Sequence, residues 1–376
     1  MKISIFSAFY PFRGGIAHFN ERLVKSLDKK HDVAVFTFKK QYPNFLFPGS
    51  SQFVTTLNPE LEGRAQRIVS TFNPFSYFGA RRKLKAIQTD LFIANYWMSI
   101  FSVFLSFCSK GFKPSTKRIA LIHNLVPHEK RFFDSWLNKI LVRNFDAFVV
   151  MSEQVKNDLV SLRPDAHILM LEHPWYDQFF EKIEREEACE KLGLDATKKV
   201  ILFFGLIRDY KGLDVLLEAF SLLDDSYTLL VAGEFYSNRE AYTHFIEDPR
   251  ITSRVKVIDK FIPDDEVHIY FSAADVSVLP YRSATQSGVT ATSFHFGVPV
   301  IVTDVGGLRQ TVQDMGKFVP PNNKEALAAA IAEYFDQSEY SVFKKSIDSK
   351  RGAFTWDHFA ERLVEFAAES APLGDK

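Results

Sequence analysis

Two stretches of the chain hold residues whose types and spacing could handle a phosphorylated ligand. In FFGLIRDYKGLDVLLEAF (203–220) a strand-like run ends at Gly205, and Arg208 and Lys211 follow before a helical segment. Glycine lets a ligand approach the backbone closely. Arg offers a forked pair of donors and Lys a point charge, a combination suited to a diphosphate. In LPYRSATQSGVTATSFHFGVPVIVTDVGG (279–307) a strand ends at Pro280, and Ser283-Ala284-Thr285-Gln286-Ser287-Gly288 opens a helix. Small polar residues at a helix start leave backbone N–H groups open to an anion, which marks Thr285, Gln286, Ser287 and Gly288. That helix ends at Gly297, and the next strand leads to Asp304-Val305-Gly306-Gly307. Two anion-friendly turns together with two cations imply a nucleotide diphosphate.

The elements that must position these residues read as two βα series. KISIFSAF (2–9) is a short buried strand, followed by Gly14-Gly15, an amphipathic segment over 16–27 and a second strand, DVAVFTF (32–38). Strand, Gly-rich turn, helix, strand is a βαβ unit. DLFIAN (90–95), RIALIHN (118–124) and AFVVMS (147–152) continue the pattern, while 39–75, with four prolines, reads as loop or insertion. A boundary falls near His173-Pro174-Trp175. Beyond it VILFFG, TLLVAG, VKVIDKF, VSVLPY and PVIVTD form a second strand series, and LDVLLEAFSLL (213–223) puts Leu213, Leu216, Leu217 and Phe220 on one helix face. Two doubly wound parallel sheets follow, with sites at the carboxyl ends of the strands.

Composition bounds the rest. The 376 residues are 46% hydrophobic and 24% charged, which excludes wholesale disorder. Two cysteines, Cys108 and Cys189, cannot build a disulfide framework or a Cys-rich zinc site, and a reducing cytoplasmic setting is expected. No apolar run approaches the ~18–20 residues of a membrane span, and no signal peptide is evident. The net charge of zero hides an asymmetry: residues 1–176 hold 24 Lys+Arg against 13 Asp+Glu, and the other 200 hold 22 against 33. The basic front half also carries 21 of the 38 Phe. FNPFSYFGARRKLK (72–85), WMSIFSVFLSFCSKGFK (97–113) and HEKRFFDSWLNKILVRN (128–144) mix aromatics with cations. Such segments can lie on an anionic bilayer, or equally be the domain's core-facing helices. No nucleic-acid motif accompanies them.

Taken together, GLIRDYKGLDVLLEAF, LPYRSATQSG and FGVPVIVTDVGG resemble the family 4 (group 1) glycosyltransferases over essentially the whole chain. The resemblance implies a GT-B fold. Two Rossmann-like parallel-sheet domains would face a central cleft, an acceptor domain over 1–173 and a nucleotide-sugar donor domain over 174–354. The segment 355–376, with Trp356, would return to the first domain. It also implies a retaining, metal-independent hexosyltransferase acting on a UDP- or GDP-sugar with no cofactor or metal. The acceptor would be a glycan or lipid-linked molecule of cell-surface polysaccharide or glycolipid assembly, at the inner face of the cytoplasmic membrane. Arg208 and Lys211 match the family's donor-diphosphate ligands. Gly14 and Gly15 match its first Gly-rich loop, and His123 matches a His beside the transferred sugar. Gly205 belongs to the donor set, and Phe261 could face the base.

One departure stands out. The family often places two Glu around the helix after the TQSG turn, and those positions here are Ala284 and Thr292. Thr292 keeps one hydroxyl toward the donor ribose but cannot grip a diol as a carboxylate does. This motivates an alternative, a catalytically weak nucleotide-sugar-binding subunit of a glycan-assembly complex. A dinucleotide oxidoreductase is disfavoured, because residues 2–15 lack the GxGxxG turn.

Overall fold

The computed structural model describes residues 1–41, 52–54, 58–126, 133–176, 179–236, 239–284, 287–336 and 339–370. The chain divides into two compact units, Met1–Pro174 with Thr355–Lys376, and Trp175–Phe354.

The first unit runs β1 (Lys2–Phe6), α1 (Gly15–Leu27), β2 (Asp32–Lys40), β3 (Ala65–Ser70), α2 (Phe75–Lys85), β4 (Leu91–Tyr96), α3 (Ser102–Ser109), β5 (Lys117–Ile122), α4 (Asp134–Val142), β6 (Ala147–Val150), α5 (Glu153–Leu162) and β7 (Ile168–Met170). Its strands form one parallel sheet in the order β3-β2-β1-β4-β5-β6-β7. Strand order reverses between β1 and β4, where Phe6 pairs with Ala94, so the turns after these strands flank the crevice such sheets offer to ligands. β3 lies inside the stretch read as irregular. Its sequence, AQRIVS, has only Ile68 and Val69 buried. Its Arg67 guanidinium donates to Phe38 O at 3.2 Å, and to Lys39 O, so an edge strand is held partly by a cation that periodicity does not register.

The phenylalanines of this unit mostly build its core. Phe6 meets Phe38 and Phe104 edge to face at 5.0 and 5.1 Å, beneath α2 and α3.

The second unit runs α6 (Arg185–Leu192), β8 (Lys199–Phe204), α7 (Leu213–Phe220), β9 (Tyr227–Ala232), α8 (Glu240–Ile246), β10 (Val255–Ile258), α9 (Asp264–Ala273), β11 (Val276–Leu279), α10 (Gly288–His295), β12 (Val300–Thr303), α11 (Leu308–Val312), β13 (Gly316–Val319), α12 (Lys324–Asp336) and α13 (Glu339–Lys350). Its parallel order is β10-β9-β8-β11-β12-β13, with the reversal between β8 and β11. The Arg208–Lys211 turn and the turn opening α10 therefore leave adjacent strands at one end of the sheet. The buried face of α7 holds Leu213, Leu216, Leu217 and Phe220, as the spacing predicts.

The last helix, α14 (Trp356–Glu369), belongs to the first unit and packs on α1. Thr355 caps it, accepting from His358 N at 3.3 Å. Asp357 takes bonds from Ser26 Oγ at 2.5 Å and Lys29 Nζ at 2.7 Å, and Trp356 stands 5.0 Å from Phe19. The chain enters and leaves the second unit side by side: Trp175 N donates to Phe354 O at 3.0 Å, and the two rings stack at 5.2 Å.

Candidate functional site

In the second unit three glycines let loops close on one another. Gly205 (φ +90°) follows β8, and a Cβ there would stand 3.2 Å from Lys211 Nζ. Gly233 follows β9 with its Cβ position only 2.1 Å from Gly205 O. Gly212 (φ +69°) ends the Asp209–Lys211 turn, and its Cβ position is 2.2 Å from Pro280 O. Side chains at these points would push the loops after β8, β9 and β11 apart.

These loops position the two cations. Ile207 bridges Phe235 in parallel fashion, and Tyr236 N donates to Ile207 O at 2.9 Å. The Arg208 guanidinium accordingly lies 4.2 Å above the Tyr236 ring. Lys211 is 7% exposed, with Nζ 5.8 Å from the Tyr281 ring centroid. Burial, and then the Arg208 charge, push its amine down to about 7. A desolvated amine beside a guanidinium is a site short of negative charge, and a diphosphate would relieve both costs.

The turn opening α10 completes this end of the sheet. Ser287 is the N-cap residue, yet its hydroxyl does not cap; it meets the Tyr281 hydroxyl at 3.3 Å. Thr290 N donates back to Ser287 O at 3.2 Å, and the N–H groups of Gly288 and Val289 belong to the helix end that has no internal acceptors. Thr285 and Gln286 lie outside the described residues. Ala284 is buried and its carbonyl accepts from Gly307 N at 3.2 Å. Thr292 is buried, and its hydroxyl donates to Gly288 O at 2.9 Å. That hydroxyl keeps only acceptor capacity for anything else. Phe261 stands on the loop after β10, two strands away from β8, and its neighbour Ile262 is packed into the core. The structure thus gathers Gly205, Arg208, Lys211, Ser287, Gly288 and Thr292 around the strand-order reversal, with Phe261 at its flank.

In the first unit Gly14 is the N-cap residue of α1 at φ +113°, a conformation that favours glycine, and Gly15 is the first helical residue. His123 follows β5 and is buried. Its backbone N donates to Tyr96 O at 2.8 Å, and its ring Nε2–H donates to Asn95 Oδ1 at 2.9 Å. The neutral ring then presents Nδ1 as an acceptor. Phe19 packs against it at 4.7 Å. Burial, with His173 nearby, pushes His123 down to about 3, and burial pushes His173 down to about 4. Both rings stay neutral near pH 7. Asn95, Phe19 and His173 escaped the sequence reading, although Asn95, a polar residue closing the run DLFIAN, was a visible signal.

A second feature of the first unit is the outer face of α2, α3 and α4. Phe75, Phe78 and Trp136 are 85%, 65% and 64% exposed. Phe78 meets Phe107 at 5.1 Å, and Arg81 lies 4.9 Å over the Phe107 ring, which joins α2 to α3. Arg81, Arg82, Lys83, Lys85 and Lys139 lie on these helices, whose single acid, Asp134, is buried. Residues 128–132 of the third aromatic–basic segment lie outside the described residues. No described helix is long and apolar enough to cross a membrane. Among the described residues no group of three or more His, Cys, Asp or Glu could hold a metal ion.

Residues 198–337 match the family model for glycosyl transferases group 1, and residues 13–170 match that for glycosyltransferase family 4. D-inositol 3-phosphate glycosyltransferase of Mycolicibacterium gilvum is 29% identical over 231 residues, 60% of this chain and 52% of that protein. The Corynebacterium diphtheriae enzyme of the same name is 28% identical over 249 residues, 62% and 58% of the two chains. The chain thus spans about half the length of the curated relatives it matches. Among solved structures, sucrose-phosphate synthase from Thermosynechococcus elongatus superposes with a TM-score of 0.76 at 20% identity, over 98% of both chains. Anabaena HepE in complex with UDP-glucose gives 0.75 at 14% identity, over 98% of this chain and all of that one. These likenesses establish the GT-B fold.

Proposed function

Because the chain belongs to the group 1, family 4 glycosyltransferases, we propose that it moves a hexose from a UDP- or GDP-sugar to a glycan or lipid-linked acceptor. The transfer retains the anomeric configuration and needs no metal. The observation that carries this reading is the desolvated Lys211 amine, down at about 7, beside the stacked Arg208 at the strand-order reversal. As the bond from C1 to the diphosphate oxygen breaks, negative charge gathers on the leaving group. Arg208, Lys211 and the first N–H groups of α10 meet it, and such preorganised donors count for most where water is excluded. The acceptor hydroxyl adds to C1 on the face the diphosphate leaves, and its proton passes to the departing phosphate oxygen. No catalytic carboxylate pair is needed. His123, neutral and oriented by Asn95, positions the sugar or acceptor as a hydrogen-bond acceptor and is not a base. Gly14, Gly15, Phe261, Thr285 and Gln286 complete the assigned donor set.

The acid-poor, aromatic-tipped face of α2, α3 and α4 supports a cytoplasmic protein peripheral to an anionic membrane, where a lipid-linked acceptor would lie. Rings enter the interface while cations meet phosphates. Sedimentation with phosphatidylglycerol vesicles at low salt and release at high salt is the expected behaviour. Replacing Phe75, Phe78 and Trp136 by Ser should abolish it, and no binding at low salt would remove membrane contact from the reading.

A second reading is favoured by Thr292, whose hydroxyl is spent on Gly288 O, on a helix without a carboxylate. With only that oxygen's acceptor capacity left for a ribose, it is the reading of a weakly catalytic nucleotide-sugar-binding subunit. Incubating the protein with UDP- and GDP-sugars and membrane extract, and measuring released nucleoside diphosphate, separates the two. Release that falls at least ~10²-fold in Lys211→Ala supports the enzyme. Donor binding without release across the panel supports the subunit.

A further inference from the structure

The Arg208–Lys211 turn faces a physical difficulty. A lysine whose amine is driven down to about 7 by burial is stabilised by swinging into water. The turn itself is short, with two bonds of its own, Lys211 N to Arg208 O at 2.9 Å and Gly212 N to Asp209 O at 3.2 Å. Something outside it must hold the amine in.

Arg282, on the loop after β11 two residues before Ala284, supplies that hold. Its backbone N donates to Tyr210 O at 2.7 Å, and its Nη1 donates to Asp209 O. Its Nη2 donates to Asp214 Oδ2 at 2.5 Å, in the first turn of α7. Asp214 Oδ1 is buried without a hydrogen-bond partner, so Arg282 also carries the main compensation for that carboxylate. The Tyr242 hydroxyl adds a long bond to Asp209 Oδ1 at 3.4 Å. Asp209, Asp214 and Tyr242 are the titratable groups around Arg282; Arg208, Tyr210 and Tyr281 are those around Lys211. Arg282 is one-third exposed, so its ion pair contributes little to global stability. What it fixes is local: the two carbonyls between the phosphate-binding cations.

We propose that Arg282 is a positioning residue for nucleoside diphosphate binding. It ties the loop after β11 to the loop after β8, so that Arg208, Lys211 and the α10 N-terminus address one diphosphate together. This rests on the site reading above. It predicts that an altered Arg282 changes the environment of Lys211, which an effect on folding alone would not.

Calorimetric titration with UDP, and with GDP in parallel, from pH 6.5 to 9 tests it on Arg282→Ala, Arg282→Lys and Lys211→Ala. Arg282→Ala should weaken binding roughly tenfold at pH 7, the scale for losing charge-assisted bonds. Its affinity should also lose the fall above pH 7 that the buried amine imposes, because a released amine returns toward its ordinary range. Arg282→Lys, which restores charge but not the fork, should recover part of the affinity, and it decides the matter if the alanine variant does not fold. Wild-type affinity and pH midpoint in Arg282→Ala, with binding lost in Lys211→Ala, would overturn the proposal and leave the site reading intact. So would weakened binding with the midpoint unmoved. Unchanged binding in Lys211→Ala would overturn the site reading itself.

Discussion

Raising the pH from 7 to 9 should weaken nucleoside diphosphate binding by about 50-fold, through Lys211 alone. In the empty site the amine titrates at about 7, lowered first by burial and then by the Arg208 charge. At pH 7 roughly half the amines are therefore neutral, and nearly all are by pH 9. A bound diphosphate favours the charged form, so the amine must take up a proton on binding above pH 7. Affinity is then nearly constant well below the free-site value and approaches a tenfold fall per unit above it, or ~2.3 kcal/mol between pH 7 and 9 while the bound amine stays charged. Isothermal titration of UDP in buffers of different ionisation heat reads both quantities. Proton uptake should be about 0.5 per UDP at pH 7 and approach ~1 at pH 8. Lys211→Met should bind weakly with no such slope. The stability of the empty protein has a linked sign. The folded amine sits below its unfolded value of 10.5, so the unfolded chain binds more protons between 7 and 10.5. Stability should accordingly rise with pH across that window, and Lys211→Met should raise the melting temperature as it lowers function. Equal slopes in wild type and Lys211→Met, or no proton uptake, would show that the Lys211 amine does not meet the diphosphate.

Three further outcomes are expected. Gly212→Ala must place a Cβ at φ +69° and 2.2 Å from Pro280 O, so it should cost more stability than the ~1–2 kcal/mol of the backbone alone, read as a lower melting temperature, and abolish UDP binding. Thr292→Glu gives α10 a carboxylate, and the preference for UDP over 2′-deoxy-UDP should rise roughly tenfold in competitive titration; an unmoved ratio would separate that position from the ribose. His123 is held neutral, down at about 3. Its ring carbon resonances should show no titration between pH 5 and 8, and His123→Gln should slow turnover without removing either limb of the pH–rate profile.

The donor-side turns were legible because their chemistry is local in the chain. Strand, glycine, two cations and an amphipathic helix follow one another within 203–220, and the structure places Leu213, Leu216, Leu217 and Phe220 on the buried face as spacing requires. The two parallel sheets followed from the repetition of strand and helix, and the GT-B fold from the resemblance to the family 4 glycosyltransferases. What the sequence left hidden depends on contacts distant in sequence. β3 escaped because Arg67 bonds to carbonyls about thirty residues away and fills the place of an apolar partner. Asn95 became part of the site only when β4 and β5 paired and brought it to His123, 28 residues on. The abundance of Phe was ambiguous for the same reason. Phe6, Phe38 and Phe104 share a buried cluster, while Phe75 and Phe78 stand in the open, and composition counts them alike. Thr292 was read as able to donate or accept one hydrogen bond, and the helix takes its O–H through Gly288 O, a local bond that the sequence does not register.

The melting temperature with and without saturating UDP or GDP shows whether Arg208 and Lys211 grip a nucleoside diphosphate. Ligand at about 100 times its dissociation constant adds ~2.7 kcal/mol, a rise of several degrees for the wild-type protein. The rise should appear in the wild type and be lost in both Arg208→Ala and Lys211→Ala. An equal rise in all three proteins would contradict that grip.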